Sequence, residues 1–447
     1  MIDWVTAVYF ASFMVISVYA VALLAVIVRY RRYRPPPIVD ISRVTPDVTV
    51  QLPLYNPDSG TLVRCLNAMV AMRYPREHLQ IQVLDDSSRV EAVELIGREC
   101  ASRGIEVLHR DTREGYRAGA FAASVPSVRG EYIVIVNVDC VPPVDFLEKI
   151  VGTIHADPGV GYVMSNHVYH NRYLNGQTKI TSVILDMGVM NMNGLSMLTG
   201  GGVVVRKKAI IDAGGWQGDT ICDDYDTGAR ILSAGYRSVF LRDEEFPCEA
   251  PESLREYRRT IERWARASGQ YMRKDLGRII GGKINAFDKF LLLTLSTGFV
   301  QMLAGAINLL AVLILIWLNA IPGPQYAAIW SVVTVTGFAL YAYYYHVTKF
   351  RALPMSRHFR DLFLAVVVGY GSAFFVTYNL VGGILEGRAS RAVMRANSAL
   401  ERNVVDILFI AASSAALVLA VYYMNGILAA YMLLNLVGIG LIRTRKP

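Results

Sequence analysis

The chain has 447 residues, 53% of them apolar, and a mean hydropathy of +0.34. It is too apolar for a wholly soluble protein and long enough for more than one domain. A formal charge of +8 would suit a nucleic-acid partner. The basic residues, however, gather at 29–34, 349–360, 388–402 and 443–446, beside apolar runs. Positive charge there marks the cytoplasmic side of a membrane, so nucleic acid is excluded.

In chain order, 4–28 is almost free of charge and long enough to cross a hydrocarbon core of about 30 Å. It has no basic leader before it and no small-residue cleavage site before the arginines that follow, the pattern of a retained anchor. PPPI at 35–38 is a stiff linker. Strands are expected at 48–52, broken by Pro53, and at 81–84, 105–109 and 133–136, with helices at 61–73 and 90–103. This alternation predicts an α/β domain with a largely parallel sheet. Its β-branched runs suit strands covered on both faces. Further helices are expected at 223–234 and 253–274. The second is Arg-rich, with Leu254, Tyr257, Ile261, Trp264 and Tyr271 at helical spacing, as on a membrane-surface helix.

Apolar runs return at 290–318, 329–347, 404–424 and 427–442. With every basic cluster in the cytoplasm, these and 4–28 make five spans. The run 362–385 carries Gly369, Gly371, Ser372, Asn379, Gly382 and Gly383 and becomes an interfacial or re-entrant element, with a sixth span as the rival reading. The expected organisation is an anchor at 1–34 and a cytosolic domain at 35–250. Amphipathic interfacial helices follow at 251–289, then a membrane region at 290–447 with a basic loop at 386–402. The cysteines at 65, 100, 140, 222 and 248 form no CxxC pair, so reduced thiols and no structural zinc are expected.

In parallel sheets ligands bind beyond the carboxyl ends of the strands. Asp85 and Asp86 end one expected strand and Asp139 follows another. Either site alone could simply fasten a turn; both on one sheet edge favour a polar ligand. There is no GxGxxG after the first strand and no Walker sequence, which excludes the common NAD and P-loop classes.

Seven segments occur in order: LPLYN (52–56), VLDDSS (83–88), YRAGAF (116–121), VNVDCVP (136–142), GGGVVVRKKAI (200–210), GGWQGDTICDDYD (214–226) and IERWARASGQ (261–270). Together they resemble the inverting family 2 glycosyltransferases, in the membrane-integral branch of cellulose synthases, hyaluronan synthases and related mannosyl- and glucosyltransferases. The resemblance implies a GT-A nucleotide-sugar domain plus transmembrane helices. It implies a hexosyltransferase that uses a GDP- or UDP-sugar with Mg²⁺ or Mn²⁺, and membrane lipids as surroundings.

Residue by residue, the resemblance gives Asp85 or Asp86 the base and ribose. Tyr55 suits either the base or the core. Arg117 would meet the diphosphate, as a guanidinium can. The DxD motif reads Asn137-Val138-Asp139, leaving Asp139 as the metal ligand and Asn137 as a neutral hydrogen-bonding group on the donor. Asp224 is the expected general base, with Asp223 beside it at the acceptor. Arg263 would contact phosphate and Trp264 would stack on the acceptor sugar. His167 and His170 have no third ligand in view and are expected at the acceptor or in the structure.

Two departures bear on the product. Thr260 replaces the glutamine of the QxxRW motif, and the loop 386–402 lacks an FxVTxK-like sequence. Both favour transfer of one hexose to a lipid-linked glycan. A processive β-polysaccharide synthase and a non-catalytic membrane scaffold or transporter are the alternatives.

Overall fold

The computed structural model describes residues 2–34, 36–41, 45–171, 174–182, 185, 197–318, 320, 355–386, 399–422 and 426–444. The expected span at 329–347 and residues 387–398 of the basic loop lie outside them. A long helix, α1 (Ile2–Arg32), leads into an alternating series. It runs β1 (Val48–Leu54), α2 (Ser59–Ala71), β2 (Leu79–Asp85), α3 (Val90–Ala101), β3 (Glu106–His109), α4 (Tyr116–Ser124), β4 (Tyr132–Ile135), α5 (Phe146–His155) and β5 (Val160–Tyr169). Next come β6 (Val203–Arg206), α6 (Lys207–Asp212), α7 (Asp223–Ser233) and β7 (Arg237–Cys248). The remainder is helical: α8 (Leu254–Gly281), α9 (Ala286–Ser296), α10 (Val300–Trp317), α11 (Met355–Glu386), α12 (Ala399–Tyr422) and α13 (Gly426–Thr444).

Among the described residues the sheet has seven strands in the order β3-β2-β1-β4-β6-β5-β7. The first four are mutually parallel, and β6 runs antiparallel to both β4 and β5. The carboxyl ends of β1, β2 and β4 therefore share one edge. β1 continues through Pro53, contrary to the expected break. Its pairing to β4 ends at Gln51, so the missing Pro N–H falls where that neighbour has stopped. The sheet is covered on both sides. Leu62, Leu66, Met69 and Ile150 pack on one side, and Phe121, Ile210, Trp216 and Ile231 on the other.

Among the described residues, three helical stretches are long and apolar enough to cross a membrane: Ile2–Arg29, Val300–Trp317 and Phe363–Glu386. The single run expected at 290–318 is instead two helices, α9 and α10. At the break, Thr297 O accepts the Val300 N–H at 2.8 Å and the Tyr19 hydroxyl of α1, also at 2.8 Å. The glycines of 362–385 do not interrupt α11. They let backbones touch, as small residues do between membrane helices. A Cβ at Gly383 would sit 2.0 Å from Arg266 O, and one at Gly371 would sit 2.3 Å from Gly438 C.

Helix α8 starts with a cap, Ser253 Oγ accepting from Glu256 N at 3.2 Å. Its apolar stripe was expected to meet lipid. Leu254, Tyr257, Ile261 and Tyr271 are instead buried within the protein, with α11 crossing the same helix. Arg258 ties it to the membrane region, bonding Glu262 at 2.7 Å and Asp406 of α12 at 2.8 Å. Trp264 stands outside this stripe, 38% exposed.

The expectation of five free thiols is corrected as well. Cys140 and Cys248 form a disulfide across an antiparallel bridge, while Cys65, Cys100 and Cys222 are free. Their separation of 108 residues hides the pairing until β7 returns beside the end of β4.

Candidate active site

Parallel strands project the loops that follow them over one sheet edge, and the expected residues lie on those loops. After β2, both oxygens of Asp85 are engaged. Oδ1 accepts the Ser87 N–H at 2.8 Å, and Oδ2 meets His109 Nδ1 at 2.7 Å. With its residue 1% exposed, Asp85 holds the loop. Asp86 is gripped by Arg110, whose Nε and Nη2 donate at 2.7 and 2.6 Å. Tyr55 is half exposed, which excludes the core alternative. The Arg113 guanidinium lies 3.4 Å from its ring centre. Asn56, in left-handed backbone at φ 48°, accepts from Ser88 N and Arg89 N and pins the β1 loop to the β2 loop.

Arg110 also donates to Glu114 O and Tyr116 O, so the base-side loop continues into α4. The next residue, Arg117, forks onto Asp223, with Nε to Oδ2 and Nη2 to Oδ1 both at 2.9 Å. Its Nη2 is 3.4 Å from Asp224 Oδ2. Burial pulls the Arg117 pKa down, but Asp223 and then Asp224 outweigh it and hold the guanidinium firmly charged. Burial pushes Asp223 above the usual carboxylate range; Arg117 opposes this and Asp224 adds to it. Gly200 packs closely beside this triad: a Cβ there would lie 2.6 Å from Arg117 Nη1 and displace the guanidinium.

Asp223, Asp224 and Asp226 occupy the first turn of α7, where the helix dipole favours negative charge. Three side chains hold that turn. Gln270 accepts from Ile221 N at 2.9 Å, Lys274 Nζ lies 2.9 Å from Asp226 Oδ1, and Arg230 Nη2 lies 2.8 Å from Asp226 Oδ2. Gln270, Lys274 and Arg110 are functional supports that sequence reasoning missed. Gln270 stood inside the IERWARASGQ segment, which was its only signal.

Asp139 is raised by burial and by the charge of Glu249, with Arg263 and Arg117 acting against them. Arg263 is lowered, first by loss of water and then by Arg117, while Asp224 and Asp139 oppose. Two guanidiniums thus crowd one another beside two carboxylates, a setting that a diphosphate and a divalent cation would relieve. Asn137 and Asp139 offer hard oxygens of the kind Mg²⁺ and Mn²⁺ take. Among the described residues no group of three or more His, Cys, Asp or Glu could hold a metal ion. The donor set therefore fits a cation completed by phosphate and water, not an all-protein cage. His167 Nε2 donates to Gly201 O at 2.6 Å, and His170 Nε2 lies 3.6 Å from Glu249. They point to separate partners, as structural histidines do.

The structure thus pairs Arg117 with Asp223 and Asp224, places Asp139 and Arg263 within the electrostatic reach of that cluster, and reaches Asp86 through Arg110. Comparison with known proteins agrees. The model described as "Glycosyl transferase family group 2" matches residues 132–381, and that described as "Glycosyl transferase family 2" matches 49–211. The probable glucomannan 4-beta-mannosyltransferase 4 of Oryza sativa subsp. japonica is 30% identical over 244 residues, 51% of this chain and 44% of the rice protein. The match thus spans less than half of that relative. The mannosyltransferase PcManGT from Pyrobaculum calidifontis, solved in complex with GDP-Man and Mn2+, superposes with a TM-score of 0.56. It is 20% identical, over 86% of this chain and 97% of that one, and shares the fold. With the first family model matching more than half of its length, the chain belongs to the family 2 glycosyltransferases.

Proposed function

We propose that the chain is an inverting hexosyltransferase. It moves mannose or glucose from a GDP- or UDP-sugar to a lipid-linked glycan at the cytosolic face of a multi-pass membrane domain. The observation that carries this reading is the Arg117–Asp223–Asp224 cluster beside Asp139 and Arg263. Asp224 is the general base: Oδ1 accepts its neighbour's N–H, and Oδ2, which lies 3.4 Å from Arg117 Nη2, is the oxygen that takes the acceptor's proton. It takes the hydroxyl proton as that oxygen attacks the anomeric carbon and the nucleoside diphosphate leaves from the opposite face. Arg117 holds Asp223 and Asp224 in place, and Arg263 faces the leaving diphosphate. Positioned base catalysis contributes about 10²–10⁴-fold. Asp86 and Tyr55 receive the base and ribose, Asn137 bonds the donor, and Asp139 holds a divalent cation, which would neutralise the leaving diphosphate. Trp264 and Asp223 flank the acceptor.

The names of the two relatives favour mannose, and the solved one favours GDP-mannose with Mn²⁺. The rice relative's name also keeps a second reading in play, a processive β-polysaccharide synthase. Membranes containing the chain are incubated with radiolabelled GDP-mannose, UDP-glucose and Mn²⁺, with Asp224→Asn as control. Asp224-dependent label in the organic phase supports the proposal. Label in a high-mass, ethanol-insoluble product replaces it with the second reading. No Asp224-dependent transfer from any hexose donor refutes both.

A further inference from the structure

Asn137 removes a carboxylate from the motif after β4 and leaves Asp139 as its only anionic oxygen donor. The chain brings another to the same place from the far end of β7. Beyond β4 the backbone pairs antiparallel with the end of β7: Cys140 bridges Cys248, Val141 N donates to Pro247 O at 2.8 Å, and Glu249 N donates to Asp139 O at 3.0 Å. In an antiparallel pair, opposed residues share a face and the next pair along takes the other face. Cys140 and Cys248 join on one face. Asp139 and Glu249 are the next opposed residues, joined by that 3.0 Å backbone bond where the Cys140 N–H closes a turn onto Asn137 O. One cation with oxygen bonds of about 2.0–2.2 Å can bridge two carboxylates so placed.

Glu249 is also held as metal ligands are held. Arg64 Nη2 lies 2.6 Å from its Oε1, and His170 Nε2 lies 3.6 Å from the same oxygen. Asn171 clamps the next residue from both sides, accepting from Ala250 N and donating to Ala250 O at 2.9 Å each. Outer partners that fix a ligand's orientation commonly accompany a metal site. Two protein carboxylates are enough where the substrate diphosphate and water supply the remaining oxygens.

We propose that Glu249 is the second protein carboxylate of the divalent-metal site, standing in for the carboxylate that Asn137 lacks. This rests on the reading of Asp139 as a metal ligand. The test is Mn²⁺ binding to the purified, detergent-solubilised full chain with GDP present, followed by loss of the free-Mn²⁺ electron paramagnetic resonance signal. Glu249→Gln and Asp139→Asn should each weaken Mn²⁺ binding at least about tenfold. Adding Asn137→Asp to Glu249→Gln should recover most of the loss. GDP binding in EDTA should stay within about twofold for Glu249→Gln. If Asp139→Asn weakens Mn²⁺ and Glu249→Gln does not, Glu249 is no ligand and only this proposal falls. If neither variant weakens it, the reading of Asp139 fails and this proposal with it. A loss in Glu249→Gln that Asn137→Asp does not restore, or that also appears in metal-free GDP binding, assigns Glu249 a structural role and overturns the proposal.

Discussion

Asp275 on α8 is fully buried and feels the charge of Asp226 in the first turn of α7. Burial first, then the charge of Asp226, lifts its pKa from 3.8 to about 7. For Asp226, burial pushes upward but Arg230 and Lys274 prevail, and its pKa is lowered. The pair therefore keeps one proton, on Asp275, until near-neutral pH. The sign of the linkage follows. Between about pH 4 and 7 the folded chain holds a proton that the unfolded chain has released. The associated stability is complete below that window, declines as pH rises through it, and is gone above about 7. At about 1.36 kcal/mol per pH unit, the gap sets an upper bound of about 4 kcal/mol. Arg278, 2.8 Å from Asp275, reduces it.

Asp275→Asn keeps the neutral form at every pH. The apparent Tm of the solubilised wild type should fall between about pH 4 and 7, while that of the variant stays flat. At about 2–4 °C per kcal/mol, the variant should be several degrees more stable at pH 8 and nearly equal at about pH 4. Parallel profiles for the two proteins across that range would refute the assignment of the proton to Asp275.

Asp224→Asn should lower turnover about 10²–10⁴-fold with donor binding nearly intact, checked by single-turnover transfer and donor calorimetry. Trp264→Ala should raise the acceptor KM about tenfold and leave the donor KM unchanged, measured with a soluble acceptor analogue. Gly383→Ala should destabilise the α8–α11 contact by about 1–3 kcal/mol through overpacking, seen as a lower apparent Tm in detergent, because its Cβ would meet Arg266 O at 2.0 Å.

Much of the donor-side architecture was legible because it is written locally. The β-branched runs ending at Asp85, Asn137 and Asp139 announce strands and their ligand edge, and DDYD (223–226) opens a helix that needs negative charge. Trp264 was legible in type but not in placement. Its spacing matched the apolar stripe of α8, and only the packing of α11 on that stripe left it facing outward. Asp85 and Asp86 could not be told apart by position, since His109 and Arg110, which separate their roles, come from the next strand and its loop.

The sequence by itself determined the alternating α/β domain, the apolar helices around it and the identity of the acidic groups. These depend on period, run length and residue chemistry within short windows. Only the tertiary structure decided which carboxylate meets which cation: Arg117 with Asp223 and Asp224, Lys274 with Asp226, and Arg64 with Glu249. Such pairings join segments far apart in the chain, and sheet order and helix crossing set them where no local pattern does.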